Sequence, residues 1–273
     1  MKPLTVFKLG LTAYDEALSF QFELVERVRE SKGKNSFLML LEHQPVITLG
    51  KNANNNNILV SPEALKKKGI SVKQIDRGGD VTYHGPGQLV GYPIIQLAYH
   101  KKTLREYVRL LEQTLIKTLA GFGIDGHTKD NSSAGVWVSP VRDSGAGLDC
   151  HALNQNGSGL AMTSLRGRET TEAISISNGV GESKIGFIGM RVSKGVTYHG
   201  FSFNVNNTLD AFELINPCGI KNPRIISISK LLNRQVSISE VTAKYLEAFR
   251  ELFNVGITEV KTHLSYIPEE IPS

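Results

Sequence analysis

Long hydrophobic runs are missing from this chain. The longest, such as 37–41, are far too short to cross a bilayer, so no membrane span is expected. Cysteine is scarce: Cys150 and Cys218 are the two among 273 residues. Two thiols make no disulfide framework. Met1-Lys2-Pro3 leads straight into a strand-like segment with no signal-peptide pattern, so a reducing compartment is expected. An Arg/Ser-rich transit pattern is absent too, because Asp15 and Glu16 come early. Basic charge is not concentrated: the net charge is +5, and Lys66-Lys67-Lys68 is the one cluster, where a helix is expected to end. A mildly basic surface attracts acidic partners. The aromatic-interleaved basic motifs of RNA readers are absent, so nucleic acid is not an expected partner. There is no Walker A motif, and Gly85-Pro86-Gly87 has neither the spacing nor the setting of a dinucleotide fingerprint.

Glycine, by contrast, is crowded into one run, Asp76-Arg77-Gly78-Gly79-Asp80-Val81-Thr82-Tyr83-His84-Gly85-Pro86-Gly87-Gln88. Glycine lets backbone approach a ligand and reach positive φ. Two turns around a short strand at 81–83 would explain one Gly-rich turn. Arg, Thr, Tyr and His in the same run favour a shaped loop that displays polar groups.

The rest of the chain reads as strands and helices in mixed order. Strands are expected at 6–9, 37–41, 46–49, 72–75, 89–97, 134–138, 184–188 and 196–205, with Gly189-Met190-Arg191 bridging the last two. A helix is expected over 14–30, with Leu18, Phe22, Val25 and Val28 on one side. Ser61 and Pro62 open a short one. Thr103 and Glu106 form a capping box for a helix to about 122, and Ser237 and Glu240 another for a helix to 253. Thr208 is expected to cap a short helix ending near 215, and 225–232 is an apolar candidate for another. Lys51 to Asn57 reads as an Asn-rich loop. Strands fall in adjacent pairs as well as between helices, so the fold class is α/β (α+β), with mixed sheets flanked by helices. One domain over 1–273 is expected, carrying an inserted loop at about 139–183 that is rich in Ser, Gly and Asn and mobile in part.

Cys218 lies in a Pro-Cys-Gly turn, which displays its side chain; a free cysteine is otherwise commonly a small buried hydrophobe. A thiolate attacks thioesters well and is stabilised by a neighbouring cation. Lys184, Arg77, Lys194 and Arg191 are the candidates for that cation. Val-Thr-Tyr-His-Gly occurs twice, ending on His84-Gly85 and His199-Gly200, as if two strand ends faced one cavity. A metal held by His84, His199 and Cys218 has no ligand-pair spacing, so none is expected. Cys150 and His151 sit in the insert, without the structured electropositive niche that thiol chemistry needs.

These segments together resemble the lipoyl(octanoyl) transferases. The resemblance rests on Leu41-Glu42-His43, the run from Arg77 to Gln88, Gly135-Val136-Trp137-Val138, and Lys184-Ile185-Gly186-Phe187-Ile188-Gly189. It continues through Arg191-Val192, Thr197-Tyr198-His199-Gly200, Asn204-Val205 and Asn216-Pro217-Cys218-Gly219. It implies the fold shared with lipoate and biotin protein ligases. It also implies transfer of an octanoyl group from acyl carrier protein to a lipoyl-domain lysine, the acceptors being 2-oxoacid dehydrogenase E2 subunits and the glycine cleavage H protein. No cofactor is implied. Cys218 falls at the acyl-thioester nucleophile and Lys184 at the lysine that lowers its pKa. Arg77, Gly78, Gly79, Asp80, Val81, Thr82, Tyr83 and His84 fall at acyl-substrate contacts. So do Phe187, Ile188 and Gly189, and Gly200, Phe201 and Ser202. His84 and His199 are candidate acid/base or orienting groups. The insert before Lys184 departs from the family pattern, as does Gln44, where proline is common.

An ATP-dependent lipoate or biotin ligase on the same fold, which needs no nucleophilic cysteine, is the alternative enzyme. A non-catalytic module that binds lipoyl domains is the alternative outside catalysis. The Asn run and the polar insert favour a eukaryotic chain and hence the mitochondrion, with the bacterial cytoplasm as the other setting.

Overall fold

The computed structural model describes residues 1–129, 134–139, 181–221 and 223–261. The strands are β1 (Lys2–Thr12), β2 (Phe37–His43), β3 (Val46–Leu49), β4 (Ser71–Gln74), β5 (Val81–His84), β6 (Gln88–Ile94), β7 (Gly126–His127), β8 (Gly135–Val138), β9 (Ser183–Ser193), β10 (Val196–Asn204) and β11 (Val255–Lys261). The helices are α1 (Tyr14–Glu30), α2 (Pro62–Lys67), α3 (Leu104–Ala120), α4 (Ile228–Leu232) and α5 (Ile238–Phe253). Eight strands form one mixed sheet in the order β11-β1-β2-β6-β10-β9-β8-β7. A smaller sheet has the order β4-β3-β5.

The large sheet is covered on both faces, which explains why its central strands read as unbroken apolar runs. Along β2, Leu38 and Leu40 pack with α3 and α5 through Tyr107, Leu111, Leu115, Tyr245 and Phe249. Phe37, Met39 and Leu41 alternate to the opposite face, against Phe20, Leu24, Val25 and Val28 of α1. In the small sheet, Ile47, Leu49, Val81 and Tyr83 face a separate cluster with Phe187, Phe212 and Ile215. Thr48, Thr82 and His84, one residue out of phase with them, are turned the other way. That alternation leaves a polar face toward the large sheet.

The mixed α/β class holds. Several local expectations do not. Phe22 is 46 % exposed and lies against Tyr198, while Phe20 takes the buried place on α1. Gly189, Met190 and Arg191 do not bridge two strands. They lie inside β9, paired with Gly200, His199 and Tyr198, and the hairpin turns at Lys194 and Gly195, both at positive φ. Thr208 caps nothing: the turn Asp210–Leu214 is 3-10 and starts without a side-chain cap. The apolar segment at 225–232 is helical only from Ile228. β11 was not foreseen; it closes the sheet edge parallel to β1. The insert expected at 139–183, with Cys150 and His151, falls mainly on 140–180, outside the described residues.

The box on α3 is complete, with Thr103 Oγ1 accepting from Glu106 N–H at 3.3 Å and Glu106 Oε2 accepting from Thr103 N–H at 2.8 Å. Thr103→Ala is therefore expected to lower the unfolding free energy by about 1 kcal/mol. Thr208→Ala should leave it unchanged, and denaturant titration of the two variants checks the difference.

Candidate functional site

Three segments distant in sequence meet at the seam between the two sheets. The loop 76–80 with β5, the middle of β9 and β10, and the turn at Cys218 enclose a cavity of about 370 Å³.

Cys218 sits in a short 3-10 turn, Pro217–Gly219, with φ 58° and ψ 21°. A left-handed backbone at a non-glycine residue carries strain, and here it is held from outside. Asn216 N–H donates to Asn57 O at 2.8 Å, and Gly219 N–H to Asn216 O at 3.0 Å. Asp80 joins the parts: its carboxylate accepts from Asn57 Nδ2 at 2.5 Å, from Asn54 N–H at 3.1 Å and from Val81 N–H at 2.8 Å. Gly219 suits glycine, with φ 71° and a Cβ that would stand 2.9 Å from Asp80 Oδ2. The Asn-rich loop thus contains the support of the cysteine turn, with Asn54 capping its own turn at Asn55–Asn57.

Lys184 is the cation beside that thiol. Its Nζ lies 3.6 Å from Cys218 Sγ, 4.3 Å above the Trp137 ring and 5.1 Å from the Phe187 ring. The side chain is 2 % exposed. Its backbone is pinned on both sides, with N–H to Arg224 O at 2.8 Å and O accepting from Ile226 N–H at 3.1 Å. Burial lowers the pKa of Lys184, while Cys218 and then Glu112 act against that shift. Two of the other cation candidates lie elsewhere. Arg191 pairs with Asp76, Nε to Oδ2 at 3.2 Å, and Lys194 is at the β9–β10 turn.

Arg77 lines the cavity but is tied to protein oxygen. Its guanidinium donates to Thr48 O at 2.8 Å, Thr48 Oγ1 at 3.0 Å and Gly78 O at 2.9 Å. Glycines clear its path: a Cβ on Gly50 would come within 3.0 Å of Nη1, and one on Gly189 within 3.1 Å of Cδ. The tightest of these approaches is to backbone, 2.3 Å from a Gly50 Cβ to Gly79 O, so these glycines serve close backbone packing as well as the buried arginine.

Burial lowers the pKa of His43, His84 and His199 and so favours their neutral forms. Thr12 O can only accept, so His43 Nδ1, 3.0 Å away, carries the proton and Nε2 accepts from the Tyr92 hydroxyl at 2.7 Å. Gln88 Nε2 donates to Asn204 Oδ1 and Tyr83 O, which turns Gln88 Oε1 toward His84 Nδ1 at 2.8 Å. His84 then presents Nε2 as a bare acceptor. His199 has φ 54°, donates Nε2–H to Asp76 Oδ1 at 2.9 Å, and leaves Nδ1 buried without a partner. Thr82 Oγ1 and Ser202 Oγ are buried and unpartnered on the same cavity. Among the described residues no three His, Cys, Asp or Glu side chains are grouped to hold a metal.

Of the residues singled out from sequence, Arg77, Gly78, Gly79, Asp80, Thr82, His84, Phe187, Ile188, Gly189, His199, Gly200, Phe201, Ser202 and Cys218 line the cavity. Val81 and Tyr83 do not. They alternate to the far side of β5, and Tyr83 packs edge-on to Phe212 at 5.7 Å. The Phe201 ring points away as well, into the core against Tyr245 at 4.8 Å. Tyr14, Asn52, Tyr92 and Met190 line the cavity without having been anticipated. Asp76 and Glu112 were also missed.

A family model, the lipoyl protein ligase A/B catalytic domain, matches residues 13–250. The chain belongs to this family. It is 38 % identical over 255 residues to the octanoyltransferase of Caldicellulosiruptor bescii, covering 93 % of each. It is 37 % identical over 256 residues to that of Chloroflexus aggregans, covering 93 % of this chain and 97 % of the relative. Among solved structures, a lipoate-protein ligase A bound with ATP overlays with a TM-score of 0.63 over 96 % of this chain and 90 % of that one, at 15 % identity. The bi-partite lipoate protein ligase of Thermoplasma acidophilum overlays with 0.64 over 96 % and 88 %, also at 15 %. At that identity these overlays establish the fold alone. Both octanoyltransferase relatives are bacterial, so they lend no support to the mitochondrial expectation.

Burial pushes His43 down to about 4 and His84 down to about 3. An unfolded histidine titrates near 6.5. Below that pH the unfolded chain binds protons that the folded one refuses, so stability is full above about 6.5 and drains as pH falls toward 4. The denaturant midpoint is expected to drop over this window, and to drop less in His43→Gln, as equilibrium unfolding at a series of pH values would reveal.

Proposed function

We propose that this chain is an octanoyltransferase of protein lipoylation, carrying the octanoyl group as a thioester on Cys218. The observation that carries the reading is the Lys184–Cys218 pair, 3.6 Å apart beside a cavity of about 370 Å³. The name borne by relatives 37–38 % identical over nearly the whole chain supports the same activity.

In the first half-reaction the Lys184 ammonium stabilises the Cys218 thiolate, which attacks the thioester carbonyl of octanoyl-acyl carrier protein. A new C–S bond forms, the bond to the carrier's thiol breaks, and Lys184 returns a proton to the leaving thiolate. In the second, the amine of an acceptor lysine attacks the enzyme thioester. Neutral Lys184 takes the amine's proton, and Cys218 leaves as thiolate. Exchange between thioesters is nearly balanced and amide formation runs downhill, so ATP is not required. Two oxyanion donors are already engaged: Gly78 N–H bonds Met190 O and Gly219 N–H bonds Asn216 O. Among the described residues Gly79 N–H has no protein acceptor, and we assign it to the developing oxyanion. Cavity residues such as Phe187, Ile188 and Met190 would bury the alkyl chain, at roughly 0.8 kcal/mol per CH₂. We read the whole chain as one catalytic unit. Its acceptors would be the lipoyl domains of E2 subunits and the H protein, met in a bacterial cytoplasm. The chain's basic charge would draw in an acidic carrier protein.

Mixing with octanoyl-acyl carrier protein without ATP is expected to give an octanoyl adduct on the wild type by intact-protein mass spectrometry. Cys218→Ser should give none. Added lipoyl domain should discharge the adduct as octanoyl-lysine, whereas release of free octanoate without acceptor would mark a thioesterase. Lys184→Met should slow adduct formation on the order of 100-fold. Lipoyl-domain modification that requires ATP and free acid, and survives Cys218→Ser, would replace this reading with a ligase.

A further inference from the structure

The strand that carries Trp137 over Lys184 is held by a carboxylate from α3. Glu112 is half-buried, and its Oε1 accepts from Gly135 N–H at 3.0 Å. Gly135 in turn lies across Lys184: a Cβ on it would stand 2.9 Å from Lys184 Cε and 3.3 Å from Nζ, and 2.4 Å from Gly186 O. Its lack of a side chain brings the β8 backbone, with Glu112 attached, close over the lysine. Just beyond it the pairing of β8 with β9 shifts register between Val136 and Trp137, setting Trp137 opposite Lys184. The Gly135 backbone held by Glu112, the Trp137 face and the cysteine sulfur are thereby collected around the Lys184 nitrogen.

We propose that Glu112 is a positioning residue of the Lys184–Cys218 pair, fixing β8 over the lysine through Gly135 and supplying the negative charge that keeps Lys184 an ammonium. This rests on the roles given to Lys184 and Cys218 above. The charged groups around the pair come from each packed element. Glu112 and Arg109 belong to α3, Lys129 precedes β8 with its Nζ 5.6 Å from the Trp137 ring, and Cys218 comes from the turn Pro217–Gly219, where Arg77 and Asp80 of the loop before β5 also face it. Lys129 opposes the ammonium, while Glu112 and Cys218 favour it. The carboxyl of Glu112 is itself drawn both ways, with burial raising its pKa and Gly135 N–H, Arg109 and Lys184 lowering it. In the first half-reaction Lys184 must hold a proton until the carrier's thiolate departs, and in the second it must take one from an amine. A fixed charge beside it sets the pH range over which it does both.

Glu112→Gln separates the two duties. Glutamine keeps an oxygen for Gly135 N–H and removes the charge; Glu112→Asp keeps the charge on a shorter arm. The measurement is the pH dependence of alkylation of Cys218 by iodoacetamide, followed on the Cys218 peptide, which needs no acyl donor. Without that charge Lys184 gives up its proton at lower pH and the thiolate loses its ammonium partner, so in Glu112→Gln the Cys218 midpoint is expected to move to higher pH by about half a unit or more. In Glu112→Asp it should stay with the wild type. An unmoved midpoint in Glu112→Gln, or one moved to lower pH as the mere loss of an anion near the sulfur would give, would overturn the charge role through Lys184 whatever happens to the rate. An adduct experiment run alongside keeps the two ideas apart: no octanoyl adduct on the wild type overturns the transferase reading, while the alkylation shift still decides Glu112. Thermal melts of both variants establish that they fold.

Discussion

A lysine ammonium taken out of water costs several kcal/mol unless its surroundings replace the lost hydration. Lys184 is in that position, and much of the seam between the two sheets is arranged around it. The Trp137 and Phe187 rings offer π faces, the cysteine sulfur accepts a hydrogen bond, and residues 224–226 grip the backbone on both sides. Desolvation weakens the lysine's hold on its proton and the neighbouring sulfur strengthens it. A group so balanced can both give and receive a proton during one turnover. In the mechanism proposed above, burial that would be a liability in an ordinary core would be the source of the chemistry.

The loop rich in glycine has a second constraint to satisfy. Arg77 is buried and bonds only to carbonyl and hydroxyl oxygens of Thr48 and Gly78, with no carboxylate within ion-pairing distance among the described residues. Backbone dipoles stabilise its charge, and they converge only because Gly50 and Gly189 have no side chains in the way. The cavity wall thereby carries a buried positive charge. Around it His43 and His84 are held neutral, so the wall offers acceptors without adding charge.

Much of this was legible in the order of residues. The paired apolar strands, the capping box at Thr103, the cap at Ser237 and the convergence of the two Val-Thr-Tyr-His segments follow from local pattern and motif, although Glu240 pairs with Arg234 and leaves the box expected at Ser237 half made. What escaped notice depends on partners far along the chain. Val81 and Tyr83 belong to the motif but lie on the far side of β5, because strand alternation divides a contiguous run between two faces. Asp76 gave no signal, since its role comes from His199, Tyr198 and Arg191, more than a hundred residues away. Phe22 reads as a core residue on a helical wheel and is exposed, and Gly189 to Arg191 read as a turn because glycine inside a strand mimics one. The parallel partner of β1 lies at the other end of the chain, where sequence distance hides pairing.

The cysteine and the lysine belong to different sheets. Lys184 rides on β9 of the large one, whereas the Cys218 turn hangs from Asn57 and Asp80, at the rim of the small one. The two are stitched by side-chain and backbone bonds that gather at the loop 76–80 and the start of β6: Gly78 N–H to Met190 O, Asp76 to Arg191, Tyr198 and His199, and Gln88 to Tyr83 O and His84. The reactive pair is therefore a gauge of how firmly the sheets are joined. Heat or denaturant that loosens the small sheet would part sulfur from nitrogen while the larger core is still intact, so loss of reactivity would precede loss of fold.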